Sequence, residues 1–392
     1  MSKKSSGLKL ITKFERARKL FPHTKNRIYF NSASYGPFSK PLADAVNRNL
    51  QLRLNAVRDD SHDSFADLEF LRKGYASLLG VKKNEIGIGL NTTFGLNIAA
   101  FGLPFKKGDE ILLSDTEFPA LAYTWKAAAE KRGLKIKRIK SVNRCFDINN
   151  FKKAITKKSR VLALSYVQFF DGYKNDLEEI SKICRNHDLF FVVDGIQGMG
   201  VEPLNLKKIN VDIFSSGCQK WMLSPQGCGF FYLPEKIQKL IEPPFMSWLG
   251  TDWKTEFTDL FKYDKPYFDS AQKFEMGYYA VLNILAMKES FLIIKDLGIK
   301  NIQKHNYRLI DILADYIKSS NHYKITSRMD KKHRSSIFTF TSEKLPELHR
   351  YILKNGITLV RREGSIRVSI HLFNNENDIR KIIKVLKRFA RS

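Results

Sequence analysis

Apolar and polar positions divide the chain into short strands that alternate with helices. Between residues 86 and 233, short apolar runs rich in β-branched and aromatic side chains predict strands, and the segments between them carry apolar residues at helical spacing. The clearest runs are residues 189–193, 211–214 and 229–233. Strands that alternate with helices build parallel sheets, so this stretch predicts a mostly parallel sheet with helices on both faces.

The pattern changes after this stretch. Residues 236–272 lose their periodicity and contain Pro243-Pro244, which indicates a loop-rich crossing. Helices and short strands alternate again towards the C-terminus, which is typical of a small α/β unit. We therefore predict an N-terminal arm at residues 1–25, a large domain at 26–255 and a small domain at 256–392, the last with part of the N-terminal segment.

Length and composition fit this division. The 392 residues exceed what one compact core usually holds, and a hydrophobic content of 43% can fill two cores. No apolar run reaches the roughly 18 residues that a membrane span needs. The basic N-terminus lacks the apolar region and cleavage site of a signal peptide. We therefore expect a cytoplasmic protein without a membrane segment.

The charge and the cysteines of the chain narrow the range of partners and cellular compartments that we expect. The net charge of +27 comes from lysines scattered along the chain, without an aromatic RNA-binding signature, so we do not expect a nucleic-acid partner. The cysteines show neither C-x-x-C pairing nor histidines at ligand spacing, which predicts free thiols in a reducing compartment and no metal site. They are Cys145, Cys184, Cys218 and Cys228.

Two charged residues follow neighbouring predicted strands. Asp194 ends the run 189–193, and Lys220 comes a few residues after the run 211–214. The carboxyl ends of neighbouring parallel strands meet at a ligand crevice. A lysine in such apolar surroundings is held near an anion, or has a lowered pKa that lets it form a Schiff base.

A helix start after the strand at residues 86–90 is a second candidate site. Asn91 ends the strand, and Thr92 and Thr93 open the helix. Free backbone N–H groups and the positive end of the helix dipole bind phosphate, and the threonine hydroxyls add donors. The alternative is that Thr92 or Thr93 only caps the helix.

These segments resemble the pyridoxal-phosphate enzymes of aminotransferase class V, which include cysteine desulfurases, isopenicillin-N epimerases and kynureninases. The resemblance rests on Asp-Gly-Ile-Gln at 194–197, Lys-Trp at 220–221 with Pro-Gln-Gly-Cys-Gly at 225–229, and Asn-Thr-Thr-Phe-Gly-Leu-Asn at 91–97. It implies fold type I: a large domain with a mostly parallel, seven-stranded sheet flanked by helices, and a smaller C-terminal α/β domain.

The resemblance also implies roles for these residues toward pyridoxal phosphate. Lys220 would form the Schiff base and move the Cα proton, and Asp194 would keep the pyridine nitrogen protonated. Phe118 would stack on the ring where most relatives carry a histidine. The remaining contacts would come from Gln197, to the phenolic oxygen, and from the phosphate-binding set Thr92, Thr93, Ser216 and Gln219.

On the substrate side, the resemblance implies an amino acid whose carboxylate is bound by Arg367, the one charged residue of an alternating strand. Asn31 lies in the segment that would line the substrate mouth. The resemblance further implies a homodimer, in which Tyr278 stands where relatives place a threonine that reaches the phosphate of the other subunit.

The reaction stays open between transamination, epimerisation and elimination. A cysteine desulfurase needs a nucleophilic cysteine on a loop just before the arginine strand, and residues 361–366 contain none, so this alternative is disfavoured. An alternative of another class is a non-catalytic basic binding protein on the same fold. The presence of both Asp194 and Lys220 argues against it.

Overall fold

The computed structural model describes residues 12–57, 64–245, 247–252, 261–277 and 279–391. Tyr278, which stands where relatives place that threonine, lies outside the described residues. The described helices are α1 (12–19), α2 (Lys40–Leu54), α3 (Ser64–Leu79), α4 (Thr92–Gly102), α5 (Pro119–Arg132), α6 (Ile148–Ala154), α7 (Leu177–Asn186), α8 (Glu235–Leu240), α9 (Val281–Leu297), α10 (Ile299–Lys318), α11 (Leu345–Lys354) and α12 (Glu376–Phe389).

The strands of the described residues form three sheets: one of seven strands, one of four, and one of two. They are β1 (Ile28–Tyr29), β2 (Ile86–Gly89), β3 (Glu110–Ser114), β4 (Lys135–Ile139), β5 (Ser159–Ser165), β6 (Phe190–Asp194), β7 (Ile213–Gly217), β8 (Gly229–Tyr232), β9 (Lys324–Ile325), β10 (Ile337–Thr341), β11 (Ile357–Thr358), β12 (Val360–Arg362) and β13 (Ser365–Ser369).

The seven-stranded sheet has the order β2-β8-β7-β6-β5-β3-β4. Strands β4, β3, β5, β6 and β7 run parallel to one another, whereas β8 is antiparallel to both of its neighbours. Only residues 218–228 connect β7 to β8, and this is too short for the crossover helix that a parallel connection needs. The predicted mostly parallel sheet is therefore confirmed.

Both faces of this sheet are buried, because alternate residues of its central strands enter two different hydrophobic clusters. On β5, Leu162 and Leu164 belong to the first cluster and Val161 and Ala163 to the second. Helices α3, α7 and α9 contribute to the first cluster, and α4, α5 and α8 to the second. Continuous apolar runs such as residues 189–193 follow directly from this double coverage.

The C-terminal part forms the antiparallel sheet β12-β13-β10-β9, which packs with α10, α11 and α12 in a third cluster. The N-terminal segment joins this part, since β1 pairs in parallel with β11 and Asn31 bridges to Ser369. Helix α9, in contrast, packs in the first cluster. The boundary at residues 255 and 256 lies outside the described residues, and the domain division stays a prediction.

Two short helices were not predicted from the sequence. Helix α6 spans only seven residues, and α8 spans six within the stretch expected to be loop. Elements this short carry too few apolar positions to show a helical period. Within the described ranges, no helix is both long and apolar enough to cross a membrane.

Candidate active site

The carboxyl ends of β6 and β7 bring together the acid and the lysine expected from the sequence. Asp194 is the last residue of β6 and is almost fully buried, and β6 pairs with β7 up to Ser215. Lys220 follows β7 and is partly buried. Just beyond it, Leu223 holds a φ of 59°, a left-handed conformation that a leucine rarely adopts, and Ser290 donates a hydrogen bond to its carbonyl. Such strain often marks functional sites.

Burial and mutual charge set the protonation of this pair. Burial lowers the pKa of Lys220 to about 8, and Asp194 opposes part of this shift. Burial raises the pKa of Asp194 to about 6, against the effects of the Ile196 backbone N–H and of Lys220. The Ile196 N–H donates to Asp194 Oδ1 over 3.0 Å. At neutral pH the aspartate is mostly ionised, and about one tenth of the lysine is neutral.

The N-terminus of α4 faces the loop that carries Lys220. Asn91 caps the helix through its side chain, which accepts from Phe94 N–H, so neither threonine is used as the cap. The buried Thr92 Oγ1 accepts from Gly217 N–H over 2.8 Å and keeps its own proton free to donate. The capping alternative is therefore wrong, and the Thr92 hydroxyl remains available for an anion.

The loop after β7 packs tightly over this helix start. A Cβ on Gly229, at the end of this loop, would lie 3.0 Å from the Asn91 backbone nitrogen at the helix start, which shows how closely the backbones approach. Gln219 folds back over Gly217, and its Oε1 is buried without a hydrogen-bond partner. Ser216 Oγ donates to the Gly217 carbonyl over 3.0 Å, so its proton supports the loop unless the hydroxyl rotates.

An aromatic residue and a buried acid line the opposite side. Lys220 Nζ lies 5.3 Å from the centre of the Phe118 ring, and Phe169 packs edge-on against that ring at 5.0 Å. Glu117 accepts from the backbone N–H of Ser165 over 3.1 Å and from Gln168 Nε2 over 3.0 Å. Burial raises the pKa of Glu117 to about 7 despite these bonds.

Gln197 is held by the protein on both of its amide atoms. Its Nε2 donates to the Ala33 carbonyl over 3.0 Å, and its Oε1 accepts from Trp221 Nε1 over 2.9 Å. One amide hydrogen remains for a ligand. Neutral His371 donates from Nε2 to the Trp221 carbonyl over 2.8 Å, which ties the C-terminal part to the lysine loop.

Arg367 lies at the centre of β13 with only 2% of its surface exposed. It donates to the Phe169 carbonyl and, over 2.7 Å, to Ser34 Oγ, which donates in turn to Asn31 Oδ1 over 2.7 Å. Its Nε has no partner, and no carboxylate pairs with it within the described part of the chain. Burial, and then the nearby Arg362, lower the pKa of Arg367 to about 9.

The segment that carries Asn31 closes the site from the N-terminal side. The Gly36 N–H donates to the Gln219 carbonyl over 2.8 Å. A Cβ at Gly36 would lie 2.5 Å from the Lys220 carbonyl oxygen, so only glycine allows this approach. The structure thus brings all of the predicted site residues into one region around Lys220, with Thr93 at the helix start beside Thr92.

These groups fit pyridoxal phosphate. The helix start and the Thr92 hydroxyl form a cradle for a phosphate, and the Gln219 side chain lies beside it over Gly217. Asp194 can keep a ring nitrogen protonated, and the unpartnered Nε of Arg367 suits a carboxylate.

A comparison with known families agrees with this geometry. The family model described as aminotransferase class-V matches residues 28–382. The chain belongs to this family. Its members use pyridoxal phosphate, so the chain is a pyridoxal-phosphate-dependent enzyme, which confirms the predicted cofactor and enzyme class. Amino-acid substrates are consistent with the family.

Curated relatives of this class-V enzyme cover nearly its whole length. An uncharacterised aminotransferase of Schizosaccharomyces pombe is 24% identical over 98% of this chain and 97% of its own. A probable cysteine desulfurase of Pyrococcus abyssi is 25% identical over 96% and 98%.

Two solved structures share the fold of this class-V enzyme. The cysteine desulfurase of Thermococcus onnurineus NA1 superposes with a TM-score of 0.84 at 23% identity, over 96% of this chain and 98% of that one. A variant of C-DES, with glycine covalently linked to its pyridoxal-phosphate cofactor, gives 0.85 at 20% identity, over 94% and 98%. The predicted fold type I is thereby confirmed.

Several residues of the class-V site were not predicted from the sequence. Glu117 lies three residues beyond the end of β3, and a glutamate so close to the carboxyl end of a buried strand is a usable signal. Ser34 and His371 act through contacts between distant parts of the chain, at sequence separations of 333 and 150 residues, which no local pattern reveals.

Proposed function

We propose that this enzyme binds pyridoxal phosphate through Lys220 and acts at the Cα of an α-amino acid. One observation carries this proposal. A lysine with a lowered pKa lies near a buried aspartate and near a buried arginine that pairs with no carboxylate among the described residues. The first partner suits a protonated ring nitrogen and the second an α-carboxylate, so the cofactor and the substrate would meet at Lys220.

When bound, pyridoxal phosphate supplies an electron sink for the bond that breaks at Cα. Asp194 would hold the pyridine nitrogen protonated, and the remaining N–H of Gln197 would reach the phenolic oxygen. Thr92, Thr93, Gln219 and, after rotation of its hydroxyl, Ser216 would hold the phosphate. Phe118 would cover the ring with an apolar face.

On the substrate side, Arg367 would bind the α-carboxylate through its guanidinium, and Ser34 and Asn31 hold that side chain in place. Lys220, as a neutral amine, would take the Cα proton and return it. Return of the proton to the opposite face of Cα would give an epimer. Its transfer to an atom other than Cα would give transamination, and departure of a β or γ substituent with its bonding electrons would give elimination. These three reactions remain the candidates.

The proposal is tested by covalent trapping. Borohydride reduction of the loaded enzyme followed by peptide mapping should place the pyridoxyl group on Lys220, and Lys220→Ala should bind the cofactor without a covalent link and lose turnover. Lys174→Ala is the matched control, because Lys174 is a shielded lysine that pairs with Glu202 at 3.3 Å. A label on any other lysine would sink the assignment.

A panel of amino acids then separates the reactions. Release of a keto acid with formation of a new amino acid indicates transamination, release without one indicates elimination, and loss of optical purity alone indicates epimerisation. A purified protein that shows no cofactor absorbance at any loading would instead favour the non-catalytic binding protein.

Cysteine desulfurase is the second candidate, because several relatives carry that name. The hairpin before Arg367 argues against it. Residues Glu363 and Gly364 make a tight turn there, without a cysteine and without the long mobile loop that a persulfide carrier needs. All four cysteines are buried and free.

We propose that the enzyme is a homodimer of the reducing cytoplasm. An apolar groove lies beside α4, with Leu90 49% exposed and Met276 41% exposed, together with Phe94 and Phe245. Exposed apolar patches of this kind favour a second copy. The free cysteines support the compartment. A solution mass equal to the 45.3 kDa chain, with full activity, would contradict the dimer.

A further inference from the structure

The register of the β12–β13 hairpin sets a second arginine beside Arg367. Val360 pairs with Arg367, and Arg362 pairs with Ser365. Paired residues share a sheet face, and residues two apart on one strand also share it. Arg362 therefore projects from the same face as Arg367, two residue pairs closer to the turn. Arg361, which pairs with Ile366, projects from the other face.

The backbone of the turn next to Arg362 is held in place. Its turn residues Glu363 and Gly364 have φ values of 42° and 77°, as in the tight turns that match the twist of paired strands. Arg144 Nη1 donates to the Glu363 carbonyl over 2.9 Å, and Thr341 Oγ1 donates to the Gly364 carbonyl over 3.0 Å. The turn is thus anchored on two sides.

The charge of Arg362 is not balanced locally. Within the described ranges it forms neither an ion pair nor a side-chain hydrogen bond, and its side chain is exposed. Arg362 lies close enough to lower the pKa of both Arg367 and Lys220, although burial lowers each of these pKa values more. In the described part of the chain, no carboxylate pairs with either of the two guanidinium groups on the substrate side of the site.

We propose that Arg362 forms a second anion-binding subsite, so that the enzyme acts on amino acids whose side chain ends in a carboxylate. Arg367 would take the α-carboxylate and Arg362 the side-chain carboxylate, with Cα between them at Lys220. This inference rests on the proposed function and names the substrate class for the same site. Each planar guanidinium group can bind one carboxylate through two parallel hydrogen bonds, so two such groups give specificity for a substrate with two carboxylates.

Binding of unreactive acids to the loaded enzyme tests the subsite without turnover. Calorimetry should show that glutarate binds about tenfold to a hundredfold more tightly than butyrate, the range expected for one hydrogen-bonded charge pair. Arg362→Gln should remove this preference and leave butyrate binding unchanged. Arg361→Gln, on the neighbouring residue of the opposite face, should keep the preference.

Turnover provides the second measurement. The ratio of kcat/KM for aspartate or glutamate to that for asparagine or glutamine should fall about tenfold to a hundredfold in Arg362→Gln and stay unchanged in Arg361→Gln. Equal binding of glutarate and butyrate by the unmodified enzyme, or equal effects of the two substitutions, would overturn the subsite.

The two proposals fail in different ways. If Lys220 carries the cofactor and neutral amino acids react as well as acidic ones, the proposed function stands and the subsite is wrong. If glutarate binding depends on Arg362 but no amino acid reacts and Lys220 takes no label, the subsite stands as a carboxylate site and the proposed function is wrong.

Discussion

The cofactor end and the substrate end of the site are built in opposite ways. At the cofactor end, around Asp194 and Lys220, an acid faces a base, and Thr92 and Gln197 are each fixed by the protein. At the substrate end, Arg367 is buried and Arg362 is exposed, and among the described residues no carboxylate pairs with either of them.

This difference separates what the fold requires from what the substrate supplies. A buried charge without a partner costs free energy, and the protein tolerates it where a ligand provides the opposite charge. The cofactor end is close to neutral before anything binds, whereas the substrate end gains its balance only from the ligand. The cofactor end therefore defines the enzyme class, and the substrate end defines the substrate specificity.

The largest effect is expected when the acid of the cofactor end, Asp194, is replaced. Asp194→Asn leaves Lys220 without its counter-charge and the ring nitrogen without an anionic partner, so kcat/KM should fall on the order of a hundredfold or more. Steady-state kinetics with the substrate from the amino-acid panel measures it.

Asp212→Asn is the matched control for that test. Asp212 is equally buried, accepts from Phe191 N–H over 2.8 Å and pairs with Lys236 at 2.6 Å, away from the lysine loop. Its loss should lower stability and leave the activity of the folded enzyme intact. Similar kinetic losses in both variants would mean that Asp194 acts only through folding.

A medium effect concerns pH. Only the neutral amine of Lys220 can form the covalent link, and burial lowers its pKa to about 8. The rate of cofactor attachment to the cofactor-free protein should therefore rise about tenfold from pH 7 to 9 and then level off, because the neutral fraction grows from about one tenth to about nine tenths. Stopped-flow absorbance measures this rate.

The charge of Arg362 at the substrate end should also affect this pH dependence. Removing the charge of Arg362, which helps to lower the Lys220 pKa, should move the curve of Arg362→Gln towards higher pH. A rate that still climbs steeply above pH 10 in the unmodified enzyme would show an ordinary lysine, and the two ends would then be electrostatically independent.

The smallest effect is expected at Cys218, just before the lysine. Burial raises the pKa of this thiol to about 12, and it contacts Tyr75 OH at 3.4 Å, so it remains a packed, protonated thiol. Cys218→Ser should leave cofactor loading and turnover unchanged. Rapid alanine formation from cysteine that one cysteine substitution abolishes would overturn this and favour the desulfurase.

The two ends also differ in how far sequence could predict them. Asp194, Lys220 and Thr92 follow strands whose apolar runs are visible locally, and the parallel sheet brings such strand ends together, so their proximity was predictable. The antiparallel course of β8 was not, since apolar runs carry no direction. The contacts of Arg367 with Ser34 and Phe169 join three distant segments of the chain, so no local pattern predicts them. The sheet face from which Arg362 projects depends on the register between two strands, which the pattern of a single strand does not fix.

The pairing of β1 with β11 has a consequence for how the enzyme is made. Synthesis proceeds from the N-terminus, so residues 86–233, with the whole lysine-bearing sheet, leave the ribosome well before residues 357–369 exist. Residues 28–31 can form their strand pairing only after those last strands have been synthesised. The newborn chain can therefore complete its cofactor cradle early, and its substrate mouth is assembled only when the first and last parts of the message have both been translated.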